Sequence, residues 1–497
     1  MMSTQEQQPP TTTDVDAPAD VKDIEGLSSH VLIDVPRDEE KRLLKKMDWL
    51  LLPVLAFMYL CNALDKGNVG NAKTDGWDKD IGLTGNQYYI LVMIFYVPFC
   101  LFGTPIALFI KRYSAARVLP LMMVGFGSMA LCTAAASNFS QVFAIRWFLG
   151  IFESAMLPGV VFYLSTFYKR SELASRVGVF YAAASISGAF SGLIAYGVFH
   201  IDHPRYHSWQ FLFWIEGAAT VMFATFAWFW LPRSTSTWWA LTEREKVLAR
   251  VRILSDSSIS VDEKLDITDA FRPLKDPVYW VWGAISFSLG VPLASVNNFL
   301  PQIVHSMGYS TVKTNLYTVA PNVAATVALL ALTFSSDHFR ERSIHISIAL
   351  STTIVGFIVL GAIDPVAKKD VAYFACFLIA MGAFAPSVLV ASWYSNNTLS
   401  ESRRAVTAAV MVALANSAGL ISTNVFRAKD EPKYTPALIT SAIFGATCLC
   451  LTLALGMYQR WENRRRNREQ GVNLRAQDVE TEALGRGKDA PAFRYMY

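Results

Sequence analysis

The chain has 497 residues, of which 53% are hydrophobic and 17% charged, with a mean hydropathy of +0.31. Soluble domains carry about 25% charge, so this balance excludes a string of ordinary soluble domains and points to a lipid-facing protein. The 44 Lys and Arg against 40 Asp and Glu leave a net charge of +4, too mild for a nucleic-acid binder.

The first forty residues hold ten acids and two bases, with PPTTT and DAPAD stretches and no apolar signal-peptide core. Residues 1–45 are therefore expected to form a disordered cytoplasmic tail. Apolar runs of the length a bilayer requires, about 20 residues, then recur. They lie at approximately 49–65, 86–110, 118–136, 141–166, 175–199, 209–231, 278–303, 316–336, 343–362, 371–396, 404–426 and 435–459. The expected fold is an all-α membrane protein with twelve transmembrane helices in two six-helix halves, 46–231 and 278–460. The halves are joined by a linker at 232–277 and followed by a cytoplasmic tail at 461–497. Inside the linker, LPRSTSTWWALTEREKVLAR is amphipathic and starts a helix at Thr242, ahead of Glu243 and Glu245. Two near-equal halves suggest the parallel repeats of a secondary transporter, with the site between them.

Basic residues concentrate in alternate loops. Lys41, Arg42, Lys45 and Lys46 precede span 1, Lys111 and Arg112 follow span 2, and Lys169 and Arg170 follow span 4. Arg340 and Arg342 follow span 8, Arg403 and Arg404 follow span 10, and Arg460 and Arg464 begin a basic run after span 12. This bias places both tails and the linker in the cytoplasm. The six cysteines lie in apolar runs without a CxxC pair, and most of them read as small buried hydrophobes.

An ionisable residue at a span centre costs about 2.5–3.5 kcal/mol on insertion scales, and such residues pair or line watery cavities. The first half carries Asp65 and Lys66 in CNALDKGNVGNAK, Arg146 and Glu153 in RWFLGIFESAMLPG, and Glu216 in FWIEG. The second half offers amides instead: Asn297, Asn298, Asn396, Asn397 and Asn416. Arg146 and Glu153 are two turns apart on one face, about 10 Å from each other. With span 1 rising from the cytoplasm, Asp65 and Lys66 are expected near its outer end, with Asp65 against Arg146. Glu153 is expected near the midplane, and Glu216 nearer the outer surface. Such charges either serve a substrate or lock helices together as ion pairs.

LDKGNVGNAK, RWFLGIFESAMLPG, SWQFLFWIEG followed by LPRSTSTWWALTERE, WYSNNT and FRYMY resemble the fungal allantoate permease family. That family belongs to the anion:cation symporters of the major facilitator superfamily and includes nicotinate, allantoate, pantothenate and biotin-type transporters. The resemblance covers about residues 45–497. It implies uptake of a small organic anion with protons across the plasma membrane. It further implies anion binding and proton coupling at Asp65, Lys66, Arg146 and Glu153. The family's common motif has Arg where this chain has Lys66, a point charge in place of a bidentate fork. The loop after span 2 lacks the superfamily's Asp, whereas SSDHFRER retains Asp337 and Arg340 as candidate gating charges.

The full candidate set is Lys66, Arg146, Asn297, Asn298, Asn396 and Asn397 for substrate, and Asp65, Glu153 and Glu216 for protons. A monomer in the bilayer without cofactor or metal is expected. Export of a fungal metabolite and a nutrient sensor without flux stay open, although span 5 lacks the Gly-Pro pair typical of exporters. No nucleophile–base motif suggests an enzyme. Gly188 and Gly192 read as close helix packing. His200, His203 and His207 read as solvated loop residues rather than metal ligands. Pro98, Pro105, Pro158, Pro292, Pro301, Pro321 and Pro386 read as kinks, at a cavity or at a simple packing bend.

Overall fold

The structure, a computed structural model, describes residues 37–168, 170–201, 203–256, 271–398, 401–476 and 490–497. Among these residues, twelve helices are long and apolar enough to cross a membrane. They are α1 (Asp38–Thr74), α2 (Gln87–Ile110), α3 (Ala115–Ala135), α4 (Phe139–Ser165), α5 (Arg176–Val198) and α6 (Ser208–Trp230) in the first half. The second half comprises α7 (Pro277–His305), α8 (Thr311–Phe339), α9 (Ser343–Ala362), α10 (Lys369–Asn396), α11 (Val406–Val425) and α12 (Thr435–Gln470). Within the halves α3 packs on α6, α1 on α5, α7 on α11, and α9 on both α10 and α12. The halves meet where α5 lies on α8, α2 on α11 and α1 on α7.

The first span is longer than hydropathy indicates. Residues 65–73 are polar enough to resemble a loop, yet they continue α1 to Thr74 because neighbouring helices satisfy them. Asn71 donates to Ser191 on α5 and Asn68 to Glu216 on α6. Asp65 and Lys66 therefore lie some two turns inside the helix, about 13 Å from its end, and not at its end.

Prolines shape three other spans. A proline removes its own N–H and crowds the carbonyl four residues earlier, so a break is expected just before it. The helix of α2 is interrupted at Phe95 ahead of Pro98, that of α4 at Ser154 and Ala155 ahead of Pro158, and that of α10 at Phe384 ahead of Pro386. Each interruption abuts the space between the halves.

The linker helix, Glu243–Asp256, starts with a reciprocal cap. The Thr242 amide donates to Glu245 Oε2 at 2.8 Å, and the Glu245 amide to Thr242 Oγ1 at 3.4 Å. Ion pairs dock this helix on the face that bears the start of α1. Lys46 meets Glu245 at 2.7 Å, and Arg252, only 1% exposed, meets Glu40 at 2.9 Å and also Glu172. The same face carries Arg176–Asp48 at 2.8 Å and Arg460–Glu341 at 2.7 Å. Burial opposes the charge on Glu341, but hydrogen bonds from Ser343 and Arg460 hold its carboxyl below the usual range.

Gly188 and Gly192 permit the close approach of α5 to α8. A Cβ on Gly192 would lie 2.7 Å from the Asn315 carbonyl and from Thr318 Oγ1, and one on Gly188 would lie 2.6 Å from Asn322 Oδ1. Gly197, on the same helix, has nothing within 4 Å. Alanine is about 1 kcal/mol better than glycine in a helix interior. Gly197→Ala should therefore hold or raise the detergent melting temperature, while Gly192→Ala lowers it by several degrees. A Gly192→Ala protein as stable as the parent in a thermal-shift assay would contradict this packing.

Candidate functional site

A cavity of about 150 Å³ lies between the halves, and a second lobe of about 140 Å³ shares Tyr59, Lys66, Tyr181, Asn297 and Asn416 with it. The lining follows from helix geometry. Tyr59, Asn62, Ala63, Lys66 and Gly67 recur at the three- and four-residue spacing of one α1 stripe and all face the cavity. Asp65 precedes Lys66 by one residue, a turn of about 100°, and points instead at α6.

Lys66 is the cation of this space. Its Nζ donates to Asn416 Oδ1 of the second half at 3.1 Å. It also lies 5.2, 5.0 and 5.4 Å from the ring centroids of Phe95, Tyr96 and Phe99. Those rings lie beside the α2 interruption, which brings them to bear on the lysine from one side. Among the described residues no carboxylate forms an ion pair with Lys66. Ring faces and an amide oxygen stabilise an ammonium partially and leave its charge uncompensated.

Glu153 ends the first segment of α4 and lines the same cavity, yet neither carboxyl oxygen has a hydrogen-bond partner. Asn62 Nδ2, on the facing stripe of α1, is also unpartnered. Lys66 and Arg146 are the cations that act on Glu153. Glu153 shares this cavity with Lys66, the only lysine among the residues lining it.

The remaining charges separate from this centre. Arg146 is buried, donates from Nε to the Leu91 carbonyl at 3.2 Å and lies 5.1 Å from the Phe95 centroid. It supports the aromatic wall and does not line the cavity. The expected contact between Asp65 and Arg146 is absent, because the two residues face different helices. Asp65 instead accepts from Thr220 on α6 at 3.5 Å. Glu216 is buried and accepts from Asn68.

In the second half only part of the amide set reaches the cavity. Asn297 lines both lobes, whereas Asn298 turns away and donates to Tyr96 Oη at 2.6 Å. Asn396 and Asn397 sit at the far end of α10, where Asn397 holds Met496, so the expectation that they meet substrate is corrected. Asp337 pairs with Arg342, and Arg340 follows α8 in a left-handed conformation at φ 53°. Gln302 donates to Tyr88 Oη at 2.9 Å, Thr311 to the Thr74 carbonyl at 3.0 Å, and Asn315 to Thr74 Oγ1 at 3.2 Å. With Asn298–Tyr96 they close the cavity at the end where α1 finishes.

Outside the cavity, His207 Nδ1 lies 3.2 Å from Asp80 Oδ2, which also accepts from Trp209 at 2.8 Å. His200 contacts the Tyr196 carbonyl at 2.7 Å. Sequence reasoning missed Tyr59, Asn62, Tyr181 and Asn322 as cavity residues. The α1 periodicity running through Lys66 would have found Tyr59 and Asn62. Tyr181 and Asn322 carry no comparable local signal.

The family model described as Major Facilitator Superfamily matches residues 55–423. The chain is 49% identical over 483 residues to an uncharacterized transporter of Schizosaccharomyces pombe, covering 97% of this chain and 95% of that one. It is 43% identical over 466 residues to a major facilitator-type transporter of Emericella nidulans, covering 93% and 94%. With a high-affinity nicotinic acid transporter of Saccharomyces cerevisiae it shares 30% identity over 460 residues, covering 92% and 85%. Among solved structures, a D-xylose-proton symporter superposes with a TM-score of 0.62 at 15% identity, covering 82% of this chain and 96% of that one.

The bonds that join the halves at the end of α1 are neutral and worth about 1 kcal/mol each, with the Lys73 ammonium beside them over the Tyr88 ring. In a Tyr96→Phe, Gln302→Leu double variant, a cysteine placed at Asn297 should react about tenfold faster with an impermeant maleimide supplied from that end. Unchanged labelling would show that these bonds do not hold the closure.

Proposed function

Since the chain belongs to the major facilitator superfamily of membrane transporters, we propose that it imports a small organic anion with protons across the plasma membrane by alternating access. Lys66 is the observation that carries this reading: a cation at the interface of the halves whose partners are rings and an amide. An incoming carboxylate supplies the missing counter-charge. In doing so it competes with Asn416 for Nζ and releases a hydrogen bond between α1 and α11. Substrate binding is thereby coupled to the contact that ties the halves together.

The proton rides on Glu153. A charged Glu153 competes with the anion for the field of Lys66, and taking up a proton removes that competitor. Proton and anion then favour each other's binding, and the coupling is reciprocal. One lobe, of about 150 Å³, is large enough for a benzene-sized ring, and the second, of about 140 Å³, leaves room for what such a ring carries. Tyr59 and Tyr181 offer faces for that ring, and Asn62 and Asn322 offer polar contacts at its edge. The resemblance to a yeast transporter named for nicotinic acid agrees with this class. The excess of Lys and Arg on the face bearing both tails puts that face in the cytoplasm. The neutral closure then faces outward.

Uptake of labelled nicotinate, pantothenate, biotin and allantoate into proteoliposomes tests the proposal. Lys66→Gln should abolish uptake of the transported compound, and Lys66→Arg should retain a measurable part of it. Glu153→Gln should lose accumulation driven by an acid exterior yet keep substrate-for-substrate exchange, which needs no net proton movement. Uphill accumulation by the Glu153→Gln protein would remove the proton role from this residue.

A further inference from the structure

Residues 490–497, with the sequence APAFRYMY, cross the second half on the face opposite the neutral closure. Their contacts have the form of peptide recognition. The Tyr495 amide donates to Asn463 Oδ1 at 2.8 Å, and Asn463 Nδ2 donates back to the Tyr495 carbonyl at 2.8 Å. The next residue is held identically from another helix: the Met496 amide donates to Asn397 Oδ1 at 3.0 Å and Asn397 Nδ2 to the Met496 carbonyl at 2.8 Å. Trp393 Nε1 adds a second donor to that carbonyl at 2.8 Å. A carboxamide has the donor and acceptor arrangement of a peptide unit, so each asparagine reads main chain as a neighbouring strand would.

Side chains supply selectivity. Arg494, 3% exposed, donates to Asn467 Oδ1 at 2.7 Å and to Gln470 Oε1 at 2.8 Å. Asn463, Asn467 and Gln470 fall at four- and three-residue spacing on one face of α12. Phe493 and Tyr495 are buried, with the Arg466 guanidinium 5.8 Å from the Phe493 ring. The Arg342 amide, at the start of α9, donates to the Tyr497 carbonyl at 3.0 Å, and Tyr497 packs on the cluster around Trp282 and Trp393.

We infer that the α10–α12 surface is a peptide-binding groove whose ligand is the chain's own 490–497 segment, an extended peptide with aromatic residues on both sides of an arginine. Occupied, the groove joins the ends of α10 and α12 to the start of α9. Emptied, it leaves Asn397, Asn463 and Asn467 without these partners and frees the three helices to move separately.

Limited trypsinolysis of the full chain tests the groove, with mass spectrometry following cleavage after Arg494. An Asn397→Ala, Asn463→Ala variant should be cut there at least about tenfold faster, given about 1 kcal/mol for each hydrogen bond lost. Cleavage after the exposed Arg205 should stay unchanged, which separates release of the segment from general unfolding. A second full-length variant, Phe493→Ser with Tyr495→Ser, spoils the ligand and spares the groove. It should bind a fluorescent APAFRYMY peptide in trans, whereas the parent chain, its groove filled, should not. Equal cleavage after Arg494 in parent and Asn variant would overturn the inference. So would failure of the Phe493→Ser, Tyr495→Ser chain to bind APAFRYMY in preference to a scrambled peptide.

Discussion

An ammonium group at the boundary between two helix bundles, with no ion-pair partner among the described residues, organises most of what surrounds it. The interrupted α2 brings Phe95, Tyr96 and Phe99 within cation–π range of Lys66, and Asn416 reaches it from the opposite half. Each partner offers a partial charge, and each is weaker than a full counter-charge would be. The same helix turn sends Asp65 to α6, which keeps the natural counter-ion of Lys66 away from it. Had the two adjacent residues shared a face, an internal pair would have quenched the site.

That division separates the charges buried between helices from those that face the cavity. Asp65, Asn68 and Glu216 form a buried cluster joining α1 to α6, with Asn71 extending the polar contacts to α5. Lys66 and Glu153 face the cavity. Arg146 belongs to neither group and backs the Phe95 wall.

Hydropathy made the twelve spans and the linker helix legible, because long apolar runs and a Thr-x-x-Glu cap are local signals. The end of α1 was not legible. Its last two turns are polar, and only the partners on α5, α6 and α8 explain why they remain helical. Lys66, Glu153 and Asn297 could be picked out as polar residues within apolar runs. The same criterion wrongly gathered Asn396 and Asn397, because it does not distinguish a cavity wall from a helix end. Asn397 is held by a segment about a hundred residues away in sequence, a relation that no window of sequence contains.

The two faces of the molecule carry different kinds of polar contact. One face is laced with ion pairs among Lys46, Glu245, Arg252, Glu40, Arg176 and Asp48. The contacts where α1 ends join Tyr88 to Gln302, Tyr96 to Asn298 and Thr74 to Asn315, all uncharged. Moving one elementary charge across a membrane is worth about 2.3 kcal/mol per 100 mV. A closure built of hydroxyls and amides offers that voltage nothing to pull on, and mobile ions have little to screen. Membrane potential and ionic strength act at this end instead through charges beside those bonds, such as Lys73, whose Nζ lies 4.2 Å from the Tyr88 ring centroid and donates to Tyr89 Oη at 3.3 Å.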